Sequence, residues 1–365
     1  MSKIVIDARE WSTSTGRYIS SLVRYLEQID QQQHDYCVLL KPGDMNAWEP
    51  NNPRFRKVAC PYKEFSFGEQ LGFKRQLDGL RPDLVHFGMV QQPVRYRGKT
   101  VTTMNDLTTT RFRNPAKNRL VFACKQVAYR WVNHRVARKT NAIITYSQFV
   151  KDDVVRFTEV SPAKITVIPL AAEPITAAAE PIQRLVGKQF VLYVGRPMPH
   201  KNLERLGEAF QLLRSQHPDL ILALAGKKDA NYQRLERHFQ KHGFTNIVFT
   251  DFVGEGQLRW LYEHCAAYAF PSLSEGFGLP GLEAMLHGAP VVSSNATCLP
   301  EVYGEAAHYF DPLDRQAMAD ALNEVLTDKA LRQKLVATGK QQAAKYSWQL
   351  TAKQTLEIYN KTLGG

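Results

Sequence analysis

The chain is poor in several features that would each announce a particular kind of protein. No apolar run approaches the roughly 20 residues a membrane-spanning helix needs. The opening residues, MSKIVIDA, pass straight into a strand pattern with no leader-like apolar segment, so a cytoplasmic location is expected. Cysteine is scarce and odd in number: five, at positions 37, 60, 124, 265 and 298. No two of them form a C-x-x-C pair, which argues against a zinc site or a disulfide framework and for a reducing compartment. The run GKKD at 226–229 lacks the earlier glycine and the following Ser or Thr of a P-loop, so that motif is rejected. Acidic residues are missing from one long stretch. Between Leu107 and Lys151 there is no Asp or Glu, while Arg111, Arg113, Lys117, Arg119, Lys125, Arg130, Arg135, Arg138, Lys139 and Lys151 are all basic. That stretch accounts for much of a net charge of +12 and implies an anionic partner: a membrane surface, a lipid phosphate or a nucleic acid. It lacks the interleaved aromatics of a base-stacking platform, and nucleic acid is not expected.

What is present is an ordinary globular composition, 44% hydrophobic and 22% charged, on a chain of 365 residues, long enough for two domains with cores of their own. Short apolar, β-branched segments alternate with helical patterns throughout. Strands are expected at Lys3–Ala8, Tyr36–Leu40, Arg54–Ala59, Asp83–His86, Lys99–Thr103, Ala142–Tyr146 and Lys164–Ile168. A helix from Ala116 to Lys139 is expected to bury a stripe of Leu120, Cys124, Val127, Ala128, Trp131 and Arg135, widened by Val121, Val132 and Val136. Residues 1–170 read as one domain and 171–188, AAEPITAAAEPIQRLVGK, as a linker. Residues 189–346 read as a second domain, and Ser347-Trp348 caps a last helix within 347–365. This is α/β alternation in two doubly wound, Rossmann-like halves, whose ligands sit at the carboxyl ends of the strands.

The stretch with most chemistry in it is AAYAFPSLSEGFGLPGLEAMLHGAP, residues 266–290. It reads as strand, glycine loop, helix, with Pro280 at the first helical position and Gly288 as a left-handed cap. Gly276 and Gly278 let backbone approach a ligand closely. The helix start offers unpaired N–H groups suited to a phosphate. Glu275 and Glu283 bracket the loop; carboxylates repel phosphate and suit hydroxyl groups instead. Phosphate together with hydroxyls suggests a sugar nucleotide. A second segment, FVLYVGRPMPHKNL at 190–203, reads as strand, glycine, basic loop and helix, with Asn202 as cap. There Arg196 offers a bidentate grip and Lys201 a point charge for phosphate oxygens.

Glu275 and Glu283, with seven residues between them in SEGFGLPGLEAM, resemble the E-x7-E signature of the retaining glycosyltransferases of family 4. YVGRPMPHKNL at 193–203 is similar to that family's phosphate-binding segment, and PEVYGEAAHYFDPLD at 300–314 to the stretch after its signature. The resemblance implies the GT-B fold, two Rossmann-like domains facing a cleft, with the last helix crossing back to the first domain. It implies that Arg196 and Lys201, after Gly195, hold the diphosphate. Glu275, with the loop Gly276-Phe277-Gly278-Leu279 and the amides of Gly278 and Leu279, would hold the sugar. Glu283 would hold the ribose hydroxyls, and backbone around Phe252 and Val253 would seat the nucleobase. A glycine-rich loop is common in relatives near residue 16, where only Gly16 stands here. Many relatives carry a His-Asp pair where this chain has Asn105 and Asp106; asparagine hydrogen-bonds but takes no proton near neutral pH. No D-x-D occurs, so neither metal nor other cofactor is expected, and the basic residues would do a metal's work. The implied reaction moves a hexose from a nucleoside-diphosphate sugar to a lipid-linked or glycan acceptor, with the 107–151 region docking peripherally on an anionic membrane. IDARE and the GRY turn resemble bacterial mannosyl- and glucosyltransferases of surface polysaccharide assembly, which points to GDP-mannose or a UDP-hexose. A sugar-nucleotide-binding protein without transfer activity, a sugar-nucleotide epimerase and a nucleic-acid-binding protein are the other readings.

Overall fold

The computed structural model describes residues 1–13, 15–113 and 119–364, leaving aside the side chains of 119–121 and 124. Lys117, the expected helix start at Ala116, and the side chains of Arg119, Leu120, Val121 and Cys124 thus lie outside the described residues. The described residues form two compact units. The first comprises 1–107, 123–170 and 347–365; the second comprises 108–122 and 171–346.

The first unit is built on a parallel sheet of seven strands among the described residues: β1 (Ser2–Asp7), β2 (His34–Leu40), β3 (Phe55–Ala59), β4 (Leu84–Phe87), β5 (Thr100–Thr103), β6 (Ala142–Thr145) and β7 (Ile165–Val167), in the order β3-β2-β1-β4-β5-β6-β7. The central strands are buried on both faces, as in a sheet covered by helices on each side: Ile4, Val5, Ile6, Leu84, Val85, Phe87 and Val101 are fully buried. The helix Trp348–Gly364 belongs to this unit and buries Trp348, Ala352 and Tyr359.

Two buried polar clusters tie this unit together. His86 on β4 bonds the Tyr359 hydroxyl through Nδ1 at 2.6 Å and Thr103 Oγ1 through Nε2 at 2.9 Å. Complete burial pushes its pKa down to about 3, so it stays neutral and serves packing and hydrogen bonding rather than proton transfer. Arg9, just past β1, is also buried. Its guanidinium grips Asp7 through Nε and Nη2, both at 2.8 Å, bonds Glu69 at 3.0 Å, and lies 4.2 Å over the Phe73 ring.

The helix Arg119–Lys139 departs from expectation. Val127 and Trp131 are 72% and 57% exposed, and Ala128 and Arg135 are exposed too. The face turned to the core carries Asn133, Val136 and Ala137, with Tyr129 and Val132 packed against it. Apolar residues lie on more than one side of this helix, so of the expected stripe only its widening residues Val132 and Val136 turn to the core, while Val127, Ala128, Trp131 and Arg135 do not. Before β4 the chain forms a π-helical turn, Glu69–Phe73, that runs into the α-helix Lys74–Leu80.

The second unit repeats the plan with six parallel strands among the described residues: β8 (Phe190–Val194), β9 (Ile221–Ala225), β10 (Ile247–Asp251), β11 (Ala267–Phe270), β12 (Val291–Ser294) and β13 (Ala307–Phe310), ordered β10-β9-β8-β11-β12-β13. β13 had no signal in the sequence, because His308 and Tyr309 interrupt its apolar pattern and are only half-buried. Residues of the 171–188 segment bond this unit: the Ile175 N–H donates to His287 Nε2 at 3.0 Å and the Glu180 N–H to the Gly256 carbonyl at 3.0 Å.

Candidate active site

In the second sheet the strand order reverses between β8 and β11, which are hydrogen-bonded neighbours. The loops leaving their carboxyl ends therefore emerge side by side, at the position where open α/β sheets place a ligand. One loop is Gly195–Asn202; the other runs from Pro271 to Gly278. The two are stitched together. Asn202 Nδ2 donates to the Pro271 carbonyl at 3.1 Å and to the Pro312 carbonyl at 2.8 Å, and the Leu273 N–H donates to the His200 carbonyl at 2.7 Å. Asn202 does stand before the helix Leu203–Leu213, but with left-handed backbone (φ 60°) and no side-chain cap. Its side chain is a staple between loops rather than the expected cap.

Gly195 has φ +144°, a conformation that favours glycine, and its carbonyl accepts the Tyr232 hydroxyl at 2.7 Å. Arg196 follows with its side chain 64% exposed; it pairs with Asp229 at 3.0 Å. Asp229 also caps the helix Ala230–Lys241, accepting from the N–H groups of Asn231 and Tyr232. Burial works to raise the Asp229 carboxyl, but Arg196 and the two amides outweigh it and hold it below its ordinary value.

Lys201 Nζ lies 2.5 Å from Glu275 Oε1, with both side chains less than a fifth exposed, and 5.6 Å over the Phe270 ring. His200 beside it is pushed down to about 4 by burial and by the Lys201 charge, so it is neutral at ordinary pH.

The signature loop is held from beneath. The Glu275 N–H donates to Thr297 Oγ1 at 3.1 Å, and the Cys298 thiol donates to the Glu275 carbonyl at 3.3 Å. Gly276 and Phe277 are buried, the Phe277 ring meeting Tyr346 edge-on at 5.4 Å. Gly278 has φ +92° and its carbonyl accepts the Tyr303 hydroxyl. Leu279 is the first residue of the helix Leu279–Leu286, so Pro280 is its second residue rather than its first. Glu283 on this helix is buried, with Oε2 accepting from the Tyr262 hydroxyl at 3.4 Å. Gly288 has φ +78°, as a left-handed cap requires.

The other residues singled out from the sequence are not on these two loops. Phe252 and Val253 follow β10; Phe252 is 75% exposed and its N–H donates to Asp251 Oδ1 at 2.7 Å. Gly16, Asn105 and Asp106 belong to the first unit. A Cβ on Gly16 would fall 1.6 Å from the Glu10 carbonyl oxygen, so only glycine fits there. Asn105 Oδ1 accepts the Tyr146 hydroxyl at 3.0 Å, and Asp106 is half-buried.

Sequence reasoning missed the supports of these loops: Asp229, Tyr232 and Tyr303. Each is far in sequence from the group it holds, so no spacing could reveal it. Among the described residues no group of three or more His, Cys, Asp or Glu is placed to hold a metal ion.

Comparison with known proteins places these observations. Residues 15–175 match the family model "Glycosyltransferase Family 4", and residues 176–342 match "Glycosyl transferases group 1". A serotype-specific mannosyltransferase, WbdA, of Escherichia coli is 34% identical over 239 residues, covering 62% of this chain and 29% of that protein. The chain thus aligns with under a third of that relative's length. Among solved structures, sucrose-phosphate synthase from Thermosynechococcus elongatus matches with a TM-score of 0.79 at 19% identity over the whole of both chains. HepE of Anabaena, solved in complex with UDP-glucose, matches with a TM-score of 0.76 at 15% identity, covering 99% of this chain and 100% of that one. The structural matches give the GT-B fold, and the two family models together span residues 15–342. The chain belongs to the family 4 glycosyltransferases of the GT-B fold.

Proposed function

We propose that the protein transfers a hexose, with retention of configuration, from a nucleoside-diphosphate sugar to a lipid-linked or glycan acceptor. The observation that carries this reading is the Lys201–Glu275 pair, set between two loops at the switch point of the second sheet with Arg196 alongside. A cation and a carboxylate held 2.5 Å apart suit a ligand with an anionic end and a hydroxyl-rich end. Lys201 and Arg196 take the diphosphate, whose charge grows as the sugar departs. Arg196 is mostly exposed and bound at one side by Asp229, so it can turn to a phosphate without leaving a buried charge behind. Glu275, with the amides of Gly278 and Leu279, takes the sugar hydroxyls, and Glu283 the ribose. Neutral His200 adds no competing charge. Attack comes from the face the diphosphate leaves, assisted by a donor phosphate oxygen. No metal is needed, because two cations already face the leaving group. The mannosyltransferase relative and the UDP-glucose-bound neighbour support GDP-mannose or a UDP-hexose as donor.

The protein works in the cytoplasm, at an anionic membrane surface. Val127 and Trp131 stand out from a helix that also exposes Lys125, Arg130 and Arg135, a mixture suited to lipid headgroups. No helix among the described residues is long and apolar enough to cross a membrane.

The test is NMR of the reaction with GDP-mannose and with UDP-glucose in the presence of EDTA. The reading expects release of one nucleoside diphosphate, an α-linked product from the α-linked donor, and a fall of about 10²- to 10³-fold in kcat for Lys201→Ala. A β-linked product would refute retention, and activity abolished by EDTA would refute metal independence. Failure to cleave any donor, together with failure to bind one, would leave a different activity on this fold.

A further inference from the structure

Tyr303 has no role in the reading above, and its geometry gives it one. It ends the short helix Leu299–Tyr303 and is fully buried, with its ring edge-on to Phe270 at 6.3 Å. Its hydroxyl reaches across 25 residues of sequence to donate to the Gly278 carbonyl at 2.5 Å. The same carbonyl accepts the Gly281 N–H at 3.1 Å, so both its lone pairs are engaged from inside the protein. The glycines of the signature face this tyrosine. A Cβ on Gly278 would lie 2.6 Å from the Tyr303 hydroxyl, and one on Gly281 would lie 2.2 Å from it. Burial, with the nearby Glu275 charge adding to it, keeps the hydroxyl protonated well past neutral pH, so it remains a donor.

A peptide unit is planar, and in the trans form its N–H points opposite its carbonyl. Fixing the Gly278 carbonyl inward therefore fixes the Leu279 N–H outward. That N–H is the first of the helix Leu279–Leu286 and has no acceptor within the helix. Gly278 is in a left-handed conformation without a Cβ, so unsupported it would let this peptide rotate.

We propose that Tyr303 is a positioning residue that aims the Leu279 N–H at the sugar-proximal end of the donor, where the diphosphate joins the transferred hexose. This rests on the glycosyltransferase reading. It assigns the tight packing at Gly278 to the tyrosine beneath the loop, and the opposite side of the same peptide to the ligand.

The test is isothermal titration of GDP-mannose, UDP-glucose, GMP and UMP into four full-length proteins: wild type, Arg196→Ala, Tyr303→Phe and Tyr309→Phe. Tyr309 is the comparator, because its hydroxyl also donates to a backbone carbonyl, that of Gly304 at 2.7 Å, but outside the loop. For whichever nucleotide sugar wild type binds, Tyr303→Phe is expected to weaken binding about tenfold, the scale of one hydrogen bond to a charged or strongly polar oxygen. Binding of the matching monophosphate, which lacks the sugar-proximal end, is expected to stay within about twofold. Tyr309→Phe is expected to leave both unchanged. Nucleotide-sugar affinity within twofold of wild type in Tyr303→Phe would overturn the proposal, as would equal losses for sugar nucleotide and monophosphate. If wild type binds neither sugar nucleotide, the glycosyltransferase reading fails and takes this inference with it. If wild type binds and Arg196→Ala is weakened, the Tyr303 result judges the inference alone. Should Tyr303→Phe not fold, amide exchange of wild type decides: the Leu279 N–H should be protected by the nucleotide sugar and not by the monophosphate, and no protection would overturn the proposal.

Discussion

At the scale of single residues, the most consequential groups are those whose charge is buried. Arg9 is 2% exposed and pairs with both Asp7 and Glu69, whose side chains are themselves buried. Replacing it with alanine strands two carboxylates in the interior, and Arg9→Ala is expected to cost about 3–5 kcal/mol by urea unfolding. An unchanged midpoint would show that the carboxylates are solvated in the folded state. His86 makes a pH prediction. Its folded pKa is about 3 against an ordinary 6.5. Between those values the unfolded chain binds a proton that the folded one does not. The stability His86 contributes is therefore complete above about pH 6.5 and falls as pH drops towards 3, by up to about 1.4 kcal/mol per pH unit. Unfolding free energies measured between pH 7 and 4 should show this slope, and His86→Gln should flatten it. The sequence singled out the residues proposed to meet the ligand, because Arg196, Lys201, Glu275 and Glu283 sit in short motifs. It did not show what holds them. Asp229 reaches Arg196 across 33 residues, and Tyr303 reaches Gly278 across 25. Such contacts exist only after folding.

At the scale of elements, most strands and helices were readable, because buried parallel strands are continuous apolar runs and helices carry caps such as Ser147 before Gln148–Thr158. Reading failed where one element presents apolar residues on two sides. In the helix Arg119–Lys139 the core takes Val136 and Ala137, while Val127 and Trp131 face outward. Val136→Ala is accordingly expected to destabilise by roughly 1–2 kcal/mol, and Val127→Ser by less than about 0.5, in thermal or urea unfolding. The opposite order would put Val127 rather than Val136 in the core. Gly16 is an element-scale constraint of another kind. Its φ of −72° suits any residue, yet a Cβ there would collide with the Glu10 carbonyl at 1.6 Å. Gly16→Ala should lower the melting temperature by several degrees by displacing the turn that starts the helix Arg17–Ile29; an unshifted melting curve would show that the turn relaxes freely.

At the scale of the whole molecule, the same plan is used in both units, a doubly wound parallel sheet with its polar loops at the strands' carboxyl ends. The alternation that produces it was plain in the sequence. The membership of the last helix in the first unit rests on Trp348, Ala352 and Tyr359, which are buried there. The net charge of +12 bears on partners rather than fold. Co-sedimentation with vesicles rich in phosphatidylglycerol should exceed that with phosphatidylcholine alone, weaken between about 0.05 and 0.5 M salt, and drop in Trp131→Ser. Equal binding to both vesicle types would remove the membrane from the proposed function. The central claim is that the loops after β8 and β11 hold a nucleoside-diphosphate sugar, and thermal denaturation tests it most directly. Wild type and Arg196→Ala are melted without metal in the presence of UDP, GDP and their hexose derivatives. A ligand at a hundredfold excess over its Kd stabilises by about 2.7 kcal/mol, a rise of several degrees. The account predicts such a rise in wild type with the nucleotides of one base only, lost in Arg196→Ala. No rise with any donor, or an equal rise in the variant, would contradict it.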